Sequence, residues 1–135
     1  MSDEKLVSII MGSKSDVAIA EKAENVLKEN GIPFETKVLS AHRQPDELSE
    51  YVKGAKTRVF ICIAGLAAAL PGVVAAQTSK PVIGVPVAGD RALGGIDALF
   101  SIVQMPSGIP VATVGIDNGK NAAWLAIRIL NCNKA

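Results

Sequence analysis

Histidine occurs once in this chain, at His42, so chemistry that needs an imidazole has one candidate per chain. Cysteine occurs twice, and Cys62 and Cys132 form neither a CxxC pair nor a Cys/His cluster, so neither a zinc site nor a disulfide framework is supported. Excess charge of one sign is missing too: 14 Lys+Arg stand against 13 Asp+Glu, a formal +1. That balance disfavours nucleic acid or an anionic membrane surface as the partner. The first residues, Met-Ser-Asp-Glu-Lys-Leu, are acidic where a signal peptide is basic, and a reducing cytoplasm is the expected compartment. One charge-free stretch, residues 59–76, is interrupted by Gly65, Pro71 and Gly72. It reads as a buried strand feeding a buried helix, not as a membrane span.

What the chain does have is enough apolar sequence for one core. Its 135 residues suit a single domain over 1–135, and 49% hydrophobic with 20% charged residues excludes intrinsic disorder. Charge is unevenly spread: the first 60 residues carry 9 basic and 10 acidic side chains, the remaining 75 only 5 and 3. A small monomer needs more polar surface than that, so the second half is expected to be covered by identical subunits in a homo-oligomer.

Five apolar runs read as buried strands: Leu6–Met11, Phe34–Leu39, Val59–Ala64, Pro81–Val87 and Pro110–Val114. Helical patterns lie between them. Asp16–Asn30 sets Ile19, Ala20, Ala23, Val26 and Leu27 on one face, pairs Glu24 with Lys28, and stops at Gly31. Pro45–Lys53 starts on proline, buries Leu48, Tyr51 and Val52, and stops at Gly54. Leu70–Thr78, Ile96–Met105 and Asn121–Asn131 complete the set, with Ile96, Leu99, Ile102 and Val103 on one face of the second. Strict βα alternation with apolar strands predicts an α/β fold: a three-layer, doubly wound parallel sheet of flavodoxin-like type.

Ligands of such sheets bind beyond the carboxyl ends of the strands, which selects three loops. The first, Gly12-Ser13-Lys14-Ser15-Asp16, opens a helix, and its small residues let backbone N–H groups and hydroxyls approach an anion; Ser15 or Asp16 is equally suited to capping that helix. It is neither a Walker A loop nor GxGxxG, so a nucleoside triphosphate or dinucleotide is not indicated. The second, Ser40-Ala41-His42-Arg43-Gln44-Pro45, sets a titratable group, a hydroxyl and a guanidinium within four residues. Arg43 suits bidentate phosphate recognition beside His42, although each is also a common solvated surface residue. In the third, residues 64–72, Gly65 and three alanines allow close approach to backbone N–H groups, or simply helix–sheet packing.

At these loops the sequence resembles the PurE family, the aminoimidazole ribonucleotide carboxylases and mutases of purine biosynthesis. The resemblance is carried by residues 11–16 (Met-Gly-Ser-Lys-Ser-Asp), 40–45 (Ser-Ala-His-Arg-Gln-Pro), 64–72 (Ala-Gly-Leu-Ala-Ala-Ala-Leu-Pro-Gly), 81–87 (Pro-Val-Ile-Gly-Val-Pro-Val) and 101–111. It implies that 4-carboxy-5-aminoimidazole ribonucleotide is made without metal, ATP or organic cofactor. It further implies that Ser13, Ser15 and Asp16 bind ribose and phosphate, that Ser40 and Arg43 complete the phosphate contact, and that Gly65, Ala67 and Leu70 line the pocket for base and carboxylate. His42 becomes the proton-transfer residue. Family members are typically octamers whose sites borrow residues from neighbouring chains.

Within that resemblance, members that use the N5-carboxylated nucleotide usually have a histidine where this chain has Ala69, whereas those using free CO2 tend to have alanine. Residues 70–72 and 104–106 look like the former group, but the missing second histidine favours direct carboxylation of aminoimidazole ribonucleotide by CO2, with the mutase reaction as the alternative. A non-catalytic nucleotide-monophosphate-binding module, or a carboxylase for another aromatic nucleotide, would keep the same phosphate loops. Ala135 follows soon after the last helix, whereas many relatives continue into a further helix packed on a neighbour, so the subunit number stays open.

Overall fold

The computed structural model describes residues 4–90 and 93–132. Five strands, β1 (Val7–Met11), β2 (Phe34–Val38), β3 (Val59–Gly65), β4 (Val82–Val87) and β5 (Ala112–Thr113), form one sheet in the order β2-β1-β3-β4-β5. Every pairing is parallel, in the flavodoxin-like order expected from the alternation. The helices are α1 (Val17–Glu29), α2 (Pro45–Gly54), α3 (Leu70–Ala75), α4 (Ile96–Val103) and α5 (Gly119–Leu130).

Side-chain alternation along the strands divides the core in two. Val7, Ile9 and Met11 of β1 and Val59, Ile61 and Ile63 of β3 face α1 and α5. Ile10 of β1 and Phe60, Cys62 and Ala64 of β3 face α2, α3 and α4. Removing one such aliphatic side chain from water contributes about 1.5–3 kcal/mol. Cys62 is fully buried, and that burial pushes its thiol pKa up, so it serves as a small apolar side chain.

Sequence periodicity and structure agree on α1, which buries Ile19, Ala20, Ala23, Val26 and Leu27. It closes at Gly31, whose φ of 68° lets the Ile32 N–H reach back to the Leu27 carbonyl. Glu24, expected to pair with Lys28, accepts a 2.6 Å hydrogen bond from the Thr36 hydroxyl on β2.

Three expectations need correction. Uniform burial fails at the sheet edges: β2 is only half buried and β5 has two residues, because an edge strand is covered less completely than a central one. Tyr51 is half buried and packs at the margin of the core; its hydroxyl donates to the Glu35 carboxylate and lies 2.7 Å from Ser8 Oγ, which in turn lies 2.7 Å from Thr57 Oγ1. Burial, then the Glu35 partner, pushes the Tyr51 pKa up. On α4 the buried residues are Ala98 and Ile102, while Ile96, Phe100 and Val103 are exposed. Gly84 sets how closely α4 approaches the sheet, since a Cβ there would lie 2.5 Å from Ile102 Cγ2.

Candidate active site

The register places three loops side by side. β1 lies between β2 and β3; the Gly12 N–H donates to Ile63 O on β3 and the Leu39 N–H to Met11 O on β1. Loops leaving the carboxyl ends of β1, β2 and β3 therefore share one edge of the sheet, as the doubly wound topology requires.

In the first loop a 3₁₀ turn, Lys14–Asp16, precedes α1. Ser13 is its cap: Ser13 Oγ accepts from the Ser15 N–H at 3.3 Å and lies 3.0 Å from Ser15 Oγ, a donor to it. Asp16 occupies the N-cap position of α1, as the capping alternative has it, but makes no capping hydrogen bond with its side chain. Asp16 is 6% exposed. Burial, followed by the negative charge of Asp117, holds its carboxyl pKa above the ordinary value, while a hydrogen bond from the Ser13 backbone pulls the other way.

The second loop is organised around Ser40, which is 8% exposed. Its Oγ accepts from the Arg43 N–H at 3.1 Å and from Arg43 Nε at 3.4 Å, and its own N–H donates to Gln44 Oε1. Ser40 thus orients Arg43 from behind. Arg43 Nη2 reaches Gly12 O at 3.3 Å and joins this loop to the first. Between the two loops opens a cleft of about 410 Å³ lined by Gly12, Ser13, Lys14, Val38, Arg43 and Gln44. Two cations beside a hydroxyl-rich turn suit a phosphate.

His42, Ser15 and Asp16 stand outside that lining, as does the third loop. His42 is exposed on the turn beside Arg43. In the third loop Leu66 adopts a left-handed φ of 56°, and the Ala68 and Ala69 N–H groups fold back onto the carbonyls of Leu66 and Ala67. No acceptor among the described residues takes the N–H of Ala67 or Leu70; Ala67 is exposed, so its N–H is the one open to a carboxylate or a base, whereas Leu70 is buried. Lys14 and Gln44 were not singled out from the sequence, although both lie within the two loop motifs; what singles them out is the cleft. Among the described residues no group of three or more His, Cys, Asp or Glu could hold a metal ion, and no helix is long and apolar enough to cross a membrane.

The doubly wound sheet and the cationic cleft between its first two loops define an α/β protein whose cleft, at the carboxyl edge of its strands, suits a phosphorylated small molecule. The chain belongs to the AIR carboxylase family, whose pattern it matches over residues 6–135. It is 65% identical over 125 residues to the N5-carboxyaminoimidazole ribonucleotide mutase of Methanocaldococcus jannaschii, covering 93% of this chain and 78% of that protein. It is 56% identical over 131 residues to the phosphoribosylaminoimidazole carboxylase of Candida albicans, covering 95% of this chain and 23% of that longer protein. Among solved structures, Treponema denticola PurE superposes with a TM-score of 0.86 at 35% identity, over 96% of this chain and 82% of that one.

Proposed function

We propose that this chain is an enzyme of purine biosynthesis that forms 4-carboxy-5-aminoimidazole ribonucleotide by direct carboxylation of aminoimidazole ribonucleotide with CO2. The observation that carries the direct route is the single imidazole: the chain has Ala69 where a second histidine would serve the mutase reaction, and Ala69 ends the third loop as the residue before α3. Arg43 and Ser13 take the phosphate, with Ser40 holding Arg43 in place; Ser15 and Asp16 take ribose hydroxyls. Gly65, Leu70 and the backbone N–H of Ala67 line the place of the base and the new carboxylate.

In the reaction the enamine-like ring carbon attacks the carbon of CO2. A C–C bond forms, and one C=O electron pair moves onto oxygen. The ring carbon is then tetrahedral and still carries its proton. His42 accepts that proton, the C–H electrons return to the ring, and aromaticity is restored; imidazole exchanges protons readily near neutral pH in both directions. General acid–base catalysis of this kind contributes roughly 10²–10⁴-fold.

A second reading, mutase action on the N5-carboxylated nucleotide, is favoured by the name of the M. jannaschii relative at 65% identity. The same residues would serve it, with the nucleotide supplying the carboxyl group. Replacing His42 by Asn tests the enzyme reading against a non-catalytic binding module: ribonucleotide binding stays while turnover falls by roughly 10²–10⁴-fold. Turnover near the wild-type rate removes His42 from the mechanism.

The working form is a cytoplasmic homo-oligomer, an octamer by family resemblance. Most of the large apolar side chains exposed on one chain, among them Leu93, Ile96, Phe100 and Trp124, lie in the charge-poor half, with Val17 and Val38 in the other, and further copies of the chain would cover them.

A further inference from the structure

Asp117 holds a left-handed backbone, with φ 60°, in the turn between β5 and α5. A non-glycine residue stays in that region only where its surroundings hold it, and aspartate is among those that tolerate it. Both ends of this residue are engaged. Its N–H donates to Pro86 O at 2.8 Å, and its Oδ1 accepts from the Ala88 N–H at 2.9 Å, so it ties the turn to the end of β4.

The next two residues carry that anchor to the first helix. Asn118 caps α5, its Oδ1 accepting from the Asn121 N–H at 2.9 Å. Gly119 lies against α1: a Cβ there would sit 2.3 Å from the Ile19 carbonyl oxygen, a backbone atom that no rotamer change can move. Ile19 is three residues beyond Asp16. The Asp117 turn is therefore packed, two residues on, against the backbone of the first turn of α1.

We infer that Asp117 is a positioning residue for the substrate site, fixing the start of α1 and with it the Asp16 carboxyl at the mouth. The inference rests on the reading of Asp16 as a substrate contact. It is supported by the electrostatics, since the Asp117 charge acts on Asp16 and, after burial, helps to raise its pKa. Lys14 and Arg43 on the cleft and Lys120 in the first turn of α5 are retained in the Asp117 variants.

The test compares Asp117→Ala with Asp117→Asn in the full chain, using aminoimidazole ribonucleotide and CO2, across the pH range of activity. Asp117→Ala loses the acceptor for Ala88, and its KM rises roughly tenfold to a hundredfold while kcat stays within about twofold. Asp117→Asn keeps an acceptor and tolerates the left-handed backbone, so it restores the neutral-pH KM. With the like charge gone, Asp16 ionises more readily, and the acid limb of the Asn variant's affinity profile moves to lower pH. Wild-type KM in the Ala variant, or an unmoved acid limb in the Asn variant, overturns the inference; the second criterion stands alone if the Ala variant does not fold. If the wild-type protein turns over neither nucleotide, the proposed function fails, and amide hydrogen exchange over residues 13–19 decides the inference. Faster exchange in the Ala variant with wild-type exchange in the Asn variant supports it, and unchanged exchange in the Ala variant refutes it.

Discussion

Arg43 Nη2 donates to the carbonyl oxygen of Gly12 across 3.3 Å, and the same guanidinium is held through Nε by the buried Ser40 hydroxyl at 3.4 Å. One side chain thus ties the loop after β2 to the loop after β1 while facing the cleft between them. The fork geometry of the guanidinium makes both links possible together; a lysine ammonium has the charge but not the rigid spread of donors.

Arg43→Lys therefore separates geometry from charge. Hydrogen bonds to charged groups contribute about 1.5–3 kcal/mol, so the KM for the ribonucleotide is expected to rise roughly tenfold to a hundredfold. Steady-state kinetics at fixed CO2 check this, and an unchanged KM would show that Arg43 does not hold the phosphate.

Asp16→Asn trades binding for stability. A carboxyl whose folded pKa is raised, here by burial first and by Asp117 second, opposes folding once ionised. Its favourable contribution is complete below the ordinary aspartate pKa of about 3.9 and is lost as pH rises through the raised value. At neutral pH the wild-type protein bears that cost, and the Asn variant does not. Thermal unfolding should show a higher Tm for Asp16→Asn at pH 7 and no gain at pH 3, while calorimetric titration shows weaker ribonucleotide binding. A lower Tm at pH 7 would mean that the carboxylate's hydrogen bonding outweighs its burial.

Phe100→Glu tests assembly. Phe100 is 60% exposed on α4, with Ile96 at 50% one turn before it, a placement that makes sense if another copy covers the helix. Sedimentation velocity should show the wild-type protein as an oligomer and the variant as smaller species. A wild-type protein that sediments as a monomer would contradict the expected coverage of the charge-poor half.

The fold was legible because burial and chain order agree. Five apolar runs alternating with helical patterns allow few topologies, and Ile61 or Leu27 is buried in any of them. Sheet edges and the exposed side of α4 were not legible: Ile96 and Val103 are apolar whether a residue packs on the sheet or on a neighbouring subunit, so periodicity alone could not separate the two. For the site, Arg43 and Ser13 could be read from residue type at strand ends. The supporting geometry could not. That Ser40 turns its hydroxyl toward Arg43, that Ser13 caps the 3₁₀ turn, and that Asp117 reaches Ala88 across 29 residues all depend on tertiary contacts. His42 was found by scarcity, and Lys14 and Gln44 were passed over because lysine and glutamine are common on surfaces.

The most direct measurement follows product formation by the purified protein without ATP, offering aminoimidazole ribonucleotide with CO2 in one reaction and the N5-carboxylated nucleotide in the other. With one histidine per chain and alanine at position 69, 4-carboxy-5-aminoimidazole ribonucleotide is expected to form efficiently from the first. Efficient product formation from the N5-carboxylated nucleotide alone would contradict the direct route, and no product from either would contradict the enzyme.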